Sequence, residues 1–468
     1  MYKYKGIDDT IAAIATPAGH GGIGIVRLSG AEALSVAERM FKSKSGRNVS
    51  DMKHATVHCG WIVRREESGR ETVIDEVLLM LMRAPKSYTC EDVVEISCHG
   101  GIVPLRAILN LAIDHGARLA EPGEFTKRAF LSGRIDLTQA EAVLDIINSK
   151  TDSFLKISSN QLKGELSTEL EVIRESIMRT YTEIEAIVNF PEDEIDARQR
   201  RRLAEDIEKA KARVEELLQT ADHGKILREG IRIVICGKPN VGKSSLLNAL
   251  LKVPRAIVSE IAGTTRDTIE ECANIRGIAL QLVDTAGILE PRDLIEVEAV
   301  KRSHMHIQSA DLVLFVVDVS RPLEKEDRDV MAAIKDARVL VVKNKTDLPS
   351  PIEKEILEKF LEGKPVANVS VVQKKGLDIL EGKIIALALP SHSSDVHAVV
   401  VSNVRHAEAL KRCHQALSQA QTDIRQNISL EFISEHLKLA IHDLDNITGR
   451  DIDADLIDQI FSQFCIGK

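Results

Sequence analysis

The spacing of apolar residues changes along the chain, and each change predicts a different kind of structure. Short apolar runs over residues 11–15, 23–28, 77–82 and 93–96 alternate with helix-like stretches, which is an α+β pattern. From Asp136 onward, apolar residues recur every three or four positions and predict long amphipathic helices. The clearest of these helices holds Leu166, Leu170, Ile173, Ile177, Tyr181, Ile184 and Val188, and the next holds Leu203, Ile207, Ala210, Val214 and Leu217.

A third pattern lies inside the helical one. Strand-like runs such as Ile231–Ile235 alternate with helices over residues 229–389, and helical spacing returns near residue 402. Because this segment is complete by itself, it reads as an insertion. We therefore expect a multidomain chain with an α+β N-terminal domain (1–122) and an all-α helical domain in two parts (123–228 and 390–468), interrupted by an inserted α/β P-loop domain (229–389). A capping box formed by Ser29 and Glu32 predicts the start of the first helix.

The inserted segment opens with a phosphate-binding loop between a strand and a helix, Gly237-Lys238-Pro239-Asn240-Val241-Gly242-Lys243-Ser244. Glycines let backbone N–H groups converge on anionic oxygens, and the helix N-terminus adds its positive dipole end. Lys243 would reach the outer phosphates, and Ser244 would offer its hydroxyl to Mg²⁺. The motif therefore predicts a nucleoside triphosphate as ligand.

Three further motifs follow in the order that a GTPase requires. Asp284-Thr285-Ala286-Gly287 ends an apolar run, where an acid can hold the Mg²⁺ hydration shell and the Gly287 N–H can face the γ-phosphate. Asn344-Lys345-Thr346-Asp347 can read guanine, because the Asp347 carboxylate accepts from two donors that adenine lacks. Between the phosphate loop and Asp284, the segment 263–267 carries Thr265, which would be a ligand for Mg²⁺ and the γ-phosphate.

Hydrolysis needs a further cation. Ile288 follows the Asp-Thr-Ala-Gly motif where GTPases usually carry a water-orienting glutamine, and no arginine finger can be assigned from the sequence. A monovalent cation held by Asn240 and by backbone oxygens around residues 259–263 would place positive charge near the β,γ-bridge.

Composition narrows the class of protein. The chain of 468 residues is 44% hydrophobic and 28% charged, with a net charge of −9, which argues against bulk electrostatic binding of nucleic acid. No apolar run of roughly 18 residues and no signal peptide is visible, and the seven cysteines form no Cys-x-x-Cys pair. A reduced, cytoplasmic protein without a membrane span is the expectation.

Three local features have alternative interpretations. The glycine-rich stretch 19–24 has dinucleotide-binding spacing but opens no helix, so we interpret it as a turn. His99, beside Gly100 and Gly101, is either catalytic or structural. The terminal segment Cys465-Ile466-Gly467-Lys468 is either a frayed end or a functional tail.

The chain resembles the MnmE (TrmE) family of tRNA-modification GTPases. The resemblance runs from residue 9 to the terminal Cys-Ile-Gly-Lys and includes the motifs at 16–17, 22–30, 88–93, 99–101 and 122–125. It implies a folate-binding N-terminal domain that also dimerises, and a GTPase domain activated by K⁺ when two nucleotide faces meet. It further implies a homodimer that joins the FAD-dependent MnmG (GidA) in a heterotetrameric or larger complex acting on tRNA.

The resemblance also implies roles for individual residues. It assigns 5-formyl- or methylene-tetrahydrofolate to Arg27, Glu95, Arg134 and Lys468, indirect positioning of the attacking water to Glu296, and an unspecified chemical role to Cys465. Together with the motifs it predicts Glu296, Asn240 and Lys243 as catalytic, Ser244 and Thr265 as Mg²⁺ ligands, and Asn240, Ser259, Ile261 and Thr264 as K⁺ ligands. The predicted GTP contacts are Asn240, Val241, Gly242, Lys243, Ser244, Ser245, Ser259, Glu260, Ile261, Ala262, Gly263, Thr264, Thr265, Asp284, Thr285, Ala286, Gly287, Asn344, Lys345, Asp347 and Ser370. The chain departs from the family pattern at Leu289 and at Val371-Val372.

The resulting expectation is a K⁺-activated GTPase that adds an aminomethyl or carboxymethylaminomethyl group to C5 of the tRNA wobble uridine. The alternative from another class is a ribosome-assembly GTPase, a switch without modification chemistry. A C-terminal RNA-binding module would favour that alternative, and none is visible in the sequence.

Overall fold

The computed structural model describes residues 9–17, 19–66, 69–189, 197–251, 271–284, 306–352, 354–361, 363–388 and 399–468. The chain divides into two compact units. The first comprises residues 1–144, 160–210 and 412–468, and the second comprises residues 145–159 and 211–411. Among the described helices, none is long and apolar enough to cross a membrane.

A seven-stranded sheet, in the order β3-β4-β5-β6-β2-β1-β7, forms the centre of the first unit. Its strands are β1 (Ile11–Ile14), β2 (Ile23–Ser29), β3 (Phe41–Ser43), β4 (Thr56–Arg65), β5 (Glu71–Met82), β6 (Val93–His99) and β7 (Arg118–Leu119). Alternate residues of these strands bury their side chains against helices α1 (Ala33–Met40) and α2 (Ile102–Asp114). The four apolar runs of the sequence therefore became strands, as predicted.

The predicted capping box at the first helix is wrong. Ser29 is the last residue of β2, and its hydroxyl bonds to Thr89 Oγ1 at 2.7 Å and to Glu91 Oε2 at 2.6 Å. Helix α1 begins only at Ala33, and the side chain of its N-cap residue, Glu32, makes no capping hydrogen bond. Strand pairing and a polar partner from another segment outweighed the local capping signal.

Helices make up the rest of the first unit and part of the second. In chain order they are α3 (Glu124–Leu131), α4 (Leu137–Ile147), α5 (Asp152–Leu162), α6 (Glu165–Asn189), α7 (Ala197–Gln219) and α8 (Ala221–Glu229). The predicted apolar stripe of α6 is buried at Leu166, Leu170, Ile173, Ile177 and Ile184. The amphipathic spacing in the sequence is thus the packing face of the helix.

The second unit contains a six-stranded sheet, in the order β13-β12-β11-β8-β10-β9. Its strands are β8 (Ile231–Cys236), β9 (Glu271–Ile275), β10 (Ile278–Asp284), β11 (Leu312–Asp318), β12 (Val339–Asn344) and β13 (Val366–Asn368). All neighbouring strands are parallel except β9 and β10. The carboxyl ends of β8, β10, β11 and β12 therefore meet at one edge, where ligands of such sheets bind.

Helices cover both faces of this sheet. Helix α9 (Lys243–Leu251) and α12 (Leu377–Ala388) pack on one face, and α10 (Lys325–Ala333) and α11 (Lys354–Leu361) pack on the other. Phe154, from the segment 145–159 far earlier in the chain, is buried in the first of these cores. Two-sided burial explains why the strands read as continuous apolar runs.

The two connections of the inserted sheet touch each other. The Val401 N–H donates to Thr220 Oγ1 at 3.0 Å, and a Cβ on Gly224 would lie 2.2 Å from the Val401 carbonyl oxygen. Beyond this point the chain continues in α13 (Val404–Arg425), α14 (Leu430–Thr448) and α15 (Ala454–Ser462). The fold is multidomain: an α+β N-terminal part is followed by an all-α part, which is interrupted by an α/β P-loop domain.

Candidate functional site

At two positions, the loop that follows β8 has backbone angles that only glycine adopts without strain. Gly237 has φ +148° and Gly242 has φ +100°, both in the range that side chains disfavour. A Cβ would lie 2.4 Å from the Val316 carbonyl oxygen at Gly237, and 2.4 Å from Asn344 Nδ2 at Gly242. Asn240 adopts φ +66° between them. The glycines of the motif therefore stand at positions where the backbone conformation requires glycine.

Lys243 lies over this loop at the start of α9. Its Nζ donates to the carbonyl oxygens of Gly237 at 2.9 Å and Lys238 at 3.0 Å. Ser244 and Ser245 follow in the first turn and are exposed, and that turn contains no acidic residue. A cation, exposed hydroxyls and the N–H groups of a helix N-terminus form a site for phosphate oxygens.

The residues predicted to read guanine lie beside the loop. Asn344, the last residue of β12, donates through Nδ2 to the Val241 carbonyl oxygen at 2.8 Å. Lys345 Nζ donates to the Asn240 carbonyl oxygen at 3.2 Å, so both residues join the base-binding edge to the phosphate loop. The Ser370 hydroxyl donates to Asp347 Oδ1 at 2.6 Å, which orients the carboxylate.

Asp318 completes this edge, and the sequence reading missed it. It ends β11, and its Oδ2 accepts from Lys345 Nζ at 2.6 Å. Burial alone would raise the pKa of the Asp318 carboxyl, but hydrogen bonds from Lys345 and Ser320 outweigh it and lower that pKa. The available signal was an acid at the end of an apolar strand, the same signal that drew attention to Asp284.

Lys238, inside the phosphate loop, is held by two acidic residues, Asp327 and Glu324. Its Nζ lies 2.9 Å from Asp327 Oδ2 and 3.2 Å from Glu324 Oε2. Burial lowers the pKa of the Lys238 ammonium, but the bonds to both acids outweigh it and the pKa is raised. Glu324 and Asp327 form the capping box of α10, so the loop is anchored to that helix.

Several predicted contacts lie outside the described residues. Asp284 is described only as the last residue of β10, without its side chain. The other residues singled out in the sequence that lie outside the described parts of the chain are Ser259, Glu260, Ile261, Ala262, Gly263, Thr264, Thr265, Thr285, Ala286, Gly287, Ile288, Leu289 and Glu296.

A second cluster of charged residues lies in the first unit, on β2, β6 and the C-terminal segment. Arg27 and Glu95 are cross-strand partners, and Arg27 Nε donates to Glu95 Oε1 at 2.7 Å. Arg27 Nη1 also donates to the Gly467 carbonyl oxygen at 3.3 Å, next to Lys468. Burial lowers the pKa of the Lys468 ammonium, and the Arg27 cation lowers it further against the effects of Glu95 and Cys465. Three of the four predicted folate residues are therefore neighbours.

The C-terminal segment is held by backbone contacts. The Gly123 N–H donates to the Cys465 carbonyl oxygen at 3.3 Å, and the Phe125 N–H donates to that of Lys468 at 3.1 Å. Gly467 has φ +95°, and a Cβ there would lie 2.4 Å from the Ile14 carbonyl oxygen. Of the two interpretations of this segment, the frayed end is the wrong one. Cys465 is exposed and is a free thiol.

Arg134, the fourth predicted residue, lies on an aromatic ring. Its guanidinium is 4.9 Å from the centroid of Tyr88 and donates to the Tyr88 carbonyl oxygen at 3.2 Å. Arg27 lies in the same way over Phe125, at 5.5 Å, and Tyr88 packs against the core that contains Phe125. The two arginines thus lie on aromatic rings of the same apolar core.

His99, at the end of β6, is oriented by Asp75. Its ring Nδ1 lies 2.6 Å from Asp75 Oδ1, and its backbone N–H donates to Asp75 Oδ2 at 2.9 Å. The pairing of β4 with β5 shifts register at Ile62/Val63, next to Asp75, as β-bulges do when they redirect a side chain. The stretch 19–24 leads into β2 and opens no helix, as predicted.

A phosphate loop with its lysine follows a parallel strand, and an Asn-Lys-x-Asp motif lies beside it at the end of β12. Together these features define a P-loop GTPase. Residues 10–134 match the family model of the GTP-binding protein TrmE N-terminus, and residues 137–465 match that of the MnmE helical domain. The chain belongs to the MnmE family of tRNA modification GTPases.

Full-length relatives agree with this assignment. The tRNA modification GTPase MnmE of Clostridioides difficile is 45% identical over 462 residues, covering 99% of this chain and 100% of the relative. That of Geobacillus kaustophilus is 46% identical over 461 residues, covering 98% of this chain and 99% of the relative.

Among solved structures, the G domain of the T. maritima FeoB iron transporter is 28% identical with a TM-score of 0.28, covering 34% of this chain and 98% of that domain.

Proposed function

We propose that the chain hydrolyses GTP and uses the turnover to drive modification of the tRNA wobble uridine. The observation that carries the nucleotide half is the joined arrangement of the phosphate loop and the base edge through Asn344 and Lys345. Asp347, oriented by Ser370, would accept from the two guanine donors, and Lys243 would bind the outer phosphate oxygens. Ser244 and Thr265 would hold Mg²⁺, which would neutralise phosphate charge when bound.

Catalysis would depend on K⁺ held by Asn240 and by Ser259, Ile261 and Thr264. The backbone of Asn240, left-handed and fixed by the hydrogen bond from Lys345 Nζ to its carbonyl oxygen, supports this role for the Asn240 side chain. Ile288 cannot orient water, so Glu296 would position it indirectly. Two chains would bring their nucleotide faces together in a homodimer.

GTP hydrolysis should therefore be far faster in K⁺ than in Na⁺ at equal ionic strength. Asn240→Ala should abolish the difference, because it removes a ligand of the cation. Asn248→Ala, an exposed asparagine on the adjoining helix α9, is the matched control and should keep the difference. Equal rates of phosphate release by the unaltered protein in the two salts would contradict the proposal.

The second half of the proposal is a tetrahydrofolate site at Arg27, Glu95, Arg134 and Lys468. Cations and a carboxylate suit a ligand that has a glutamate tail and a pterin edge rich in donors. Arg27 already pairs with Glu95, and Arg27 and Phe125 both bond to the backbone of the C-terminal segment. The folate would supply a one-carbon unit, and Cys465 would lie at the edge of the site.

We extend the proposal to partners and layout. The FAD-dependent MnmG would join the homodimer in a heterotetrameric or larger complex, and the product would be an aminomethyl or carboxymethylaminomethyl group at C5. The domains would be the folate-binding part (1–122), the helical parts (123–228 and 390–468) and the GTPase part (229–389). The full-length likeness to tRNA modification GTPases supports these assignments.

Deletion of Cys465–Lys468 tests the folate half. It should weaken 5-formyl-tetrahydrofolate binding about tenfold or more, because it removes Lys468 and the Gly467 carbonyl that orients Arg27. Wobble-uridine modification should be lost, while K⁺-stimulated GTP hydrolysis should change by less than about twofold, since no nucleotide motif lies there. Cys465→Ser keeps the backbone of the segment and should retain folate binding. Full folate affinity of the shortened chain in calorimetry would remove Lys468 from the site.

A further inference from the structure

An open cavity of about 660 Å³ lies next to Arg134 in the first unit. Lys86, Tyr88, Cys90 and Arg134 line it, together with the apolar side chains of Met82 and Pro85. None of its lining residues is acidic, although the whole chain has a net charge of −9. Its volume lies within the roughly 300–1,000 Å³ typical of small-ligand sites. The lining therefore carries a net positive charge.

The two cations in its wall are available to a ligand. Within the described parts of the chain, neither Lys86 nor Arg134 forms an ion pair, and both are exposed. Arg134 is nevertheless held in place by the Tyr88 ring and carbonyl oxygen. A guanidinium already oriented on an aromatic ring loses little conformational entropy when it binds a carboxylate.

The cavity shares Arg134 with the proposed folate site, and Tyr88 connects its wall to the core beneath Arg27. Tyr88 packs against the core containing Phe125, on which Arg27 lies, and its hydroxyl lies 3.0 Å from Thr126 Oγ1. Burial raises the pKa of the Tyr88 phenol, and the charges of Arg134 and Arg27 both oppose that rise. Tyr88, in the wall of the cavity, therefore lies within electrostatic range of both arginines.

We propose that this cavity binds the γ-linked oligoglutamate chain of a polyglutamylated folate, an inference that rests on the proposed function. Each added glutamate contributes one α-carboxylate at a regular spacing, and Arg134 and Lys86 are two successive partners for such groups. The methylene groups between carboxylates would lie against Met82, Pro85 and the Tyr88 ring. The folate one-carbon donor is thus recognised by its tail as well as by its pterin.

Calorimetric titration of the full chain with 5-formyl-tetrahydrofolate carrying one or three glutamates tests this. The triglutamate should bind about fivefold more tightly, as expected for one further, partly exposed ion pair at Lys86, because Arg134 already contacts the monoglutamate, and the difference should shrink in high salt. Lys86→Met should remove most of the preference and leave monoglutamate binding unchanged. Lys53→Met, an exposed lysine of the same unit outside the cavity, is the matched control and should keep the preference.

The possible outcomes separate this inference from the proposal beneath it. No binding of either folate would overturn the folate site itself. Equal affinity for the two folates, or a preference that persists in Lys86→Met, would overturn only the oligoglutamate assignment. If Lys86→Met instead weakens tRNA binding in a filter assay and leaves both folate affinities unchanged, the cavity belongs to the RNA phosphate backbone and the proposal is wrong.

Discussion

Replacing Lys238 by methionine should destabilise the nucleotide-binding unit more than any other single loss of charge around the loop. The methionine keeps most of the apolar stem but removes the ammonium group. Asp327, whose side chain is 1% exposed, would then keep a buried charge with a single partner, the Glu324 N–H at 3.0 Å. Its other oxygen, Oδ1, already has no hydrogen-bond partner among the described residues.

The magnitude follows from the two contacts that are lost. Breaking a buried pair by removing one partner costs about 3–5 kcal/mol, because the remaining charge is uncompensated. The Glu324 contact adds less than about 1 kcal/mol, since that side chain is 57% exposed. The surviving N–H bond to Asp327 places the total at the low end, about 3 kcal/mol.

Hydrogen exchange on the full chain can measure this loss. Amides of β8 and β11 exchange through opening of the sheet, so 3 kcal/mol corresponds to roughly a hundredfold faster exchange there. The same amides should be compared in Lys325→Met, which removes an exposed cation from α10, the helix that contains Asp327. This control should change the free energy of unfolding by less than about 0.5 kcal/mol.

A double substitution decides whether the stranded charge is the cause. Lys238→Met combined with Asp327→Asn removes both charges and keeps an oxygen for the Glu324 N–H. It should recover about 2 of the 3 kcal/mol, because an uncharged buried pair has no desolvated ion. If the double variant is less stable than Lys238→Met alone, the reasoning is refuted and Lys238 acts through its packing.

Two further predictions concern single positions. Asp347→Asn should shift nucleotide preference from GTP toward xanthosine triphosphate by about tenfold or more, because an amide donor matches the xanthine oxygen; an unchanged preference in competition binding would contradict the guanine assignment. Cys90 has φ +62°, so Cys90→Gly should stabilise the first unit by up to about 1 kcal/mol and Cys90→Val should destabilise it by at least as much. Thermal unfolding followed by the fluorescence of Trp61, the sole tryptophan, checks the sign of both changes.

Long helices and the nucleotide loop were predictable because their signals are local. The stripe from Leu166 to Ile184 repeats at helical spacing, and the structure buries these residues in α6. The glycines of the loop reflect backbone angles that a sequence motif records directly. In both cases the cause and the structural effect lie within a few residues of each other.

The contacts that the sequence did not reveal join distant segments. Lys238 and Asp327 are 89 positions apart, and Arg27 and Gly467 are 440 apart. No periodicity or motif marks such a pair, because each residue alone is an ordinary charged or small residue. The same limit explains the capping box: Ser29 had a local partner in the sequence but bonded to Thr89 and Glu91 instead.

The contact between Thr220 and Val401 has a consequence for how this architecture could arise. Thr220, just before α8, and Val401, just before α13, lie on either side of the inserted segment in the sequence and are joined by a hydrogen bond of 3.0 Å. Because the ends are already adjacent, a linker of a few residues could replace everything between them without stretching the chain. Gain or loss of a whole enzyme module would then require only a short splice in the gene, and a variant spliced there would show whether the remaining helices fold without a nucleotide.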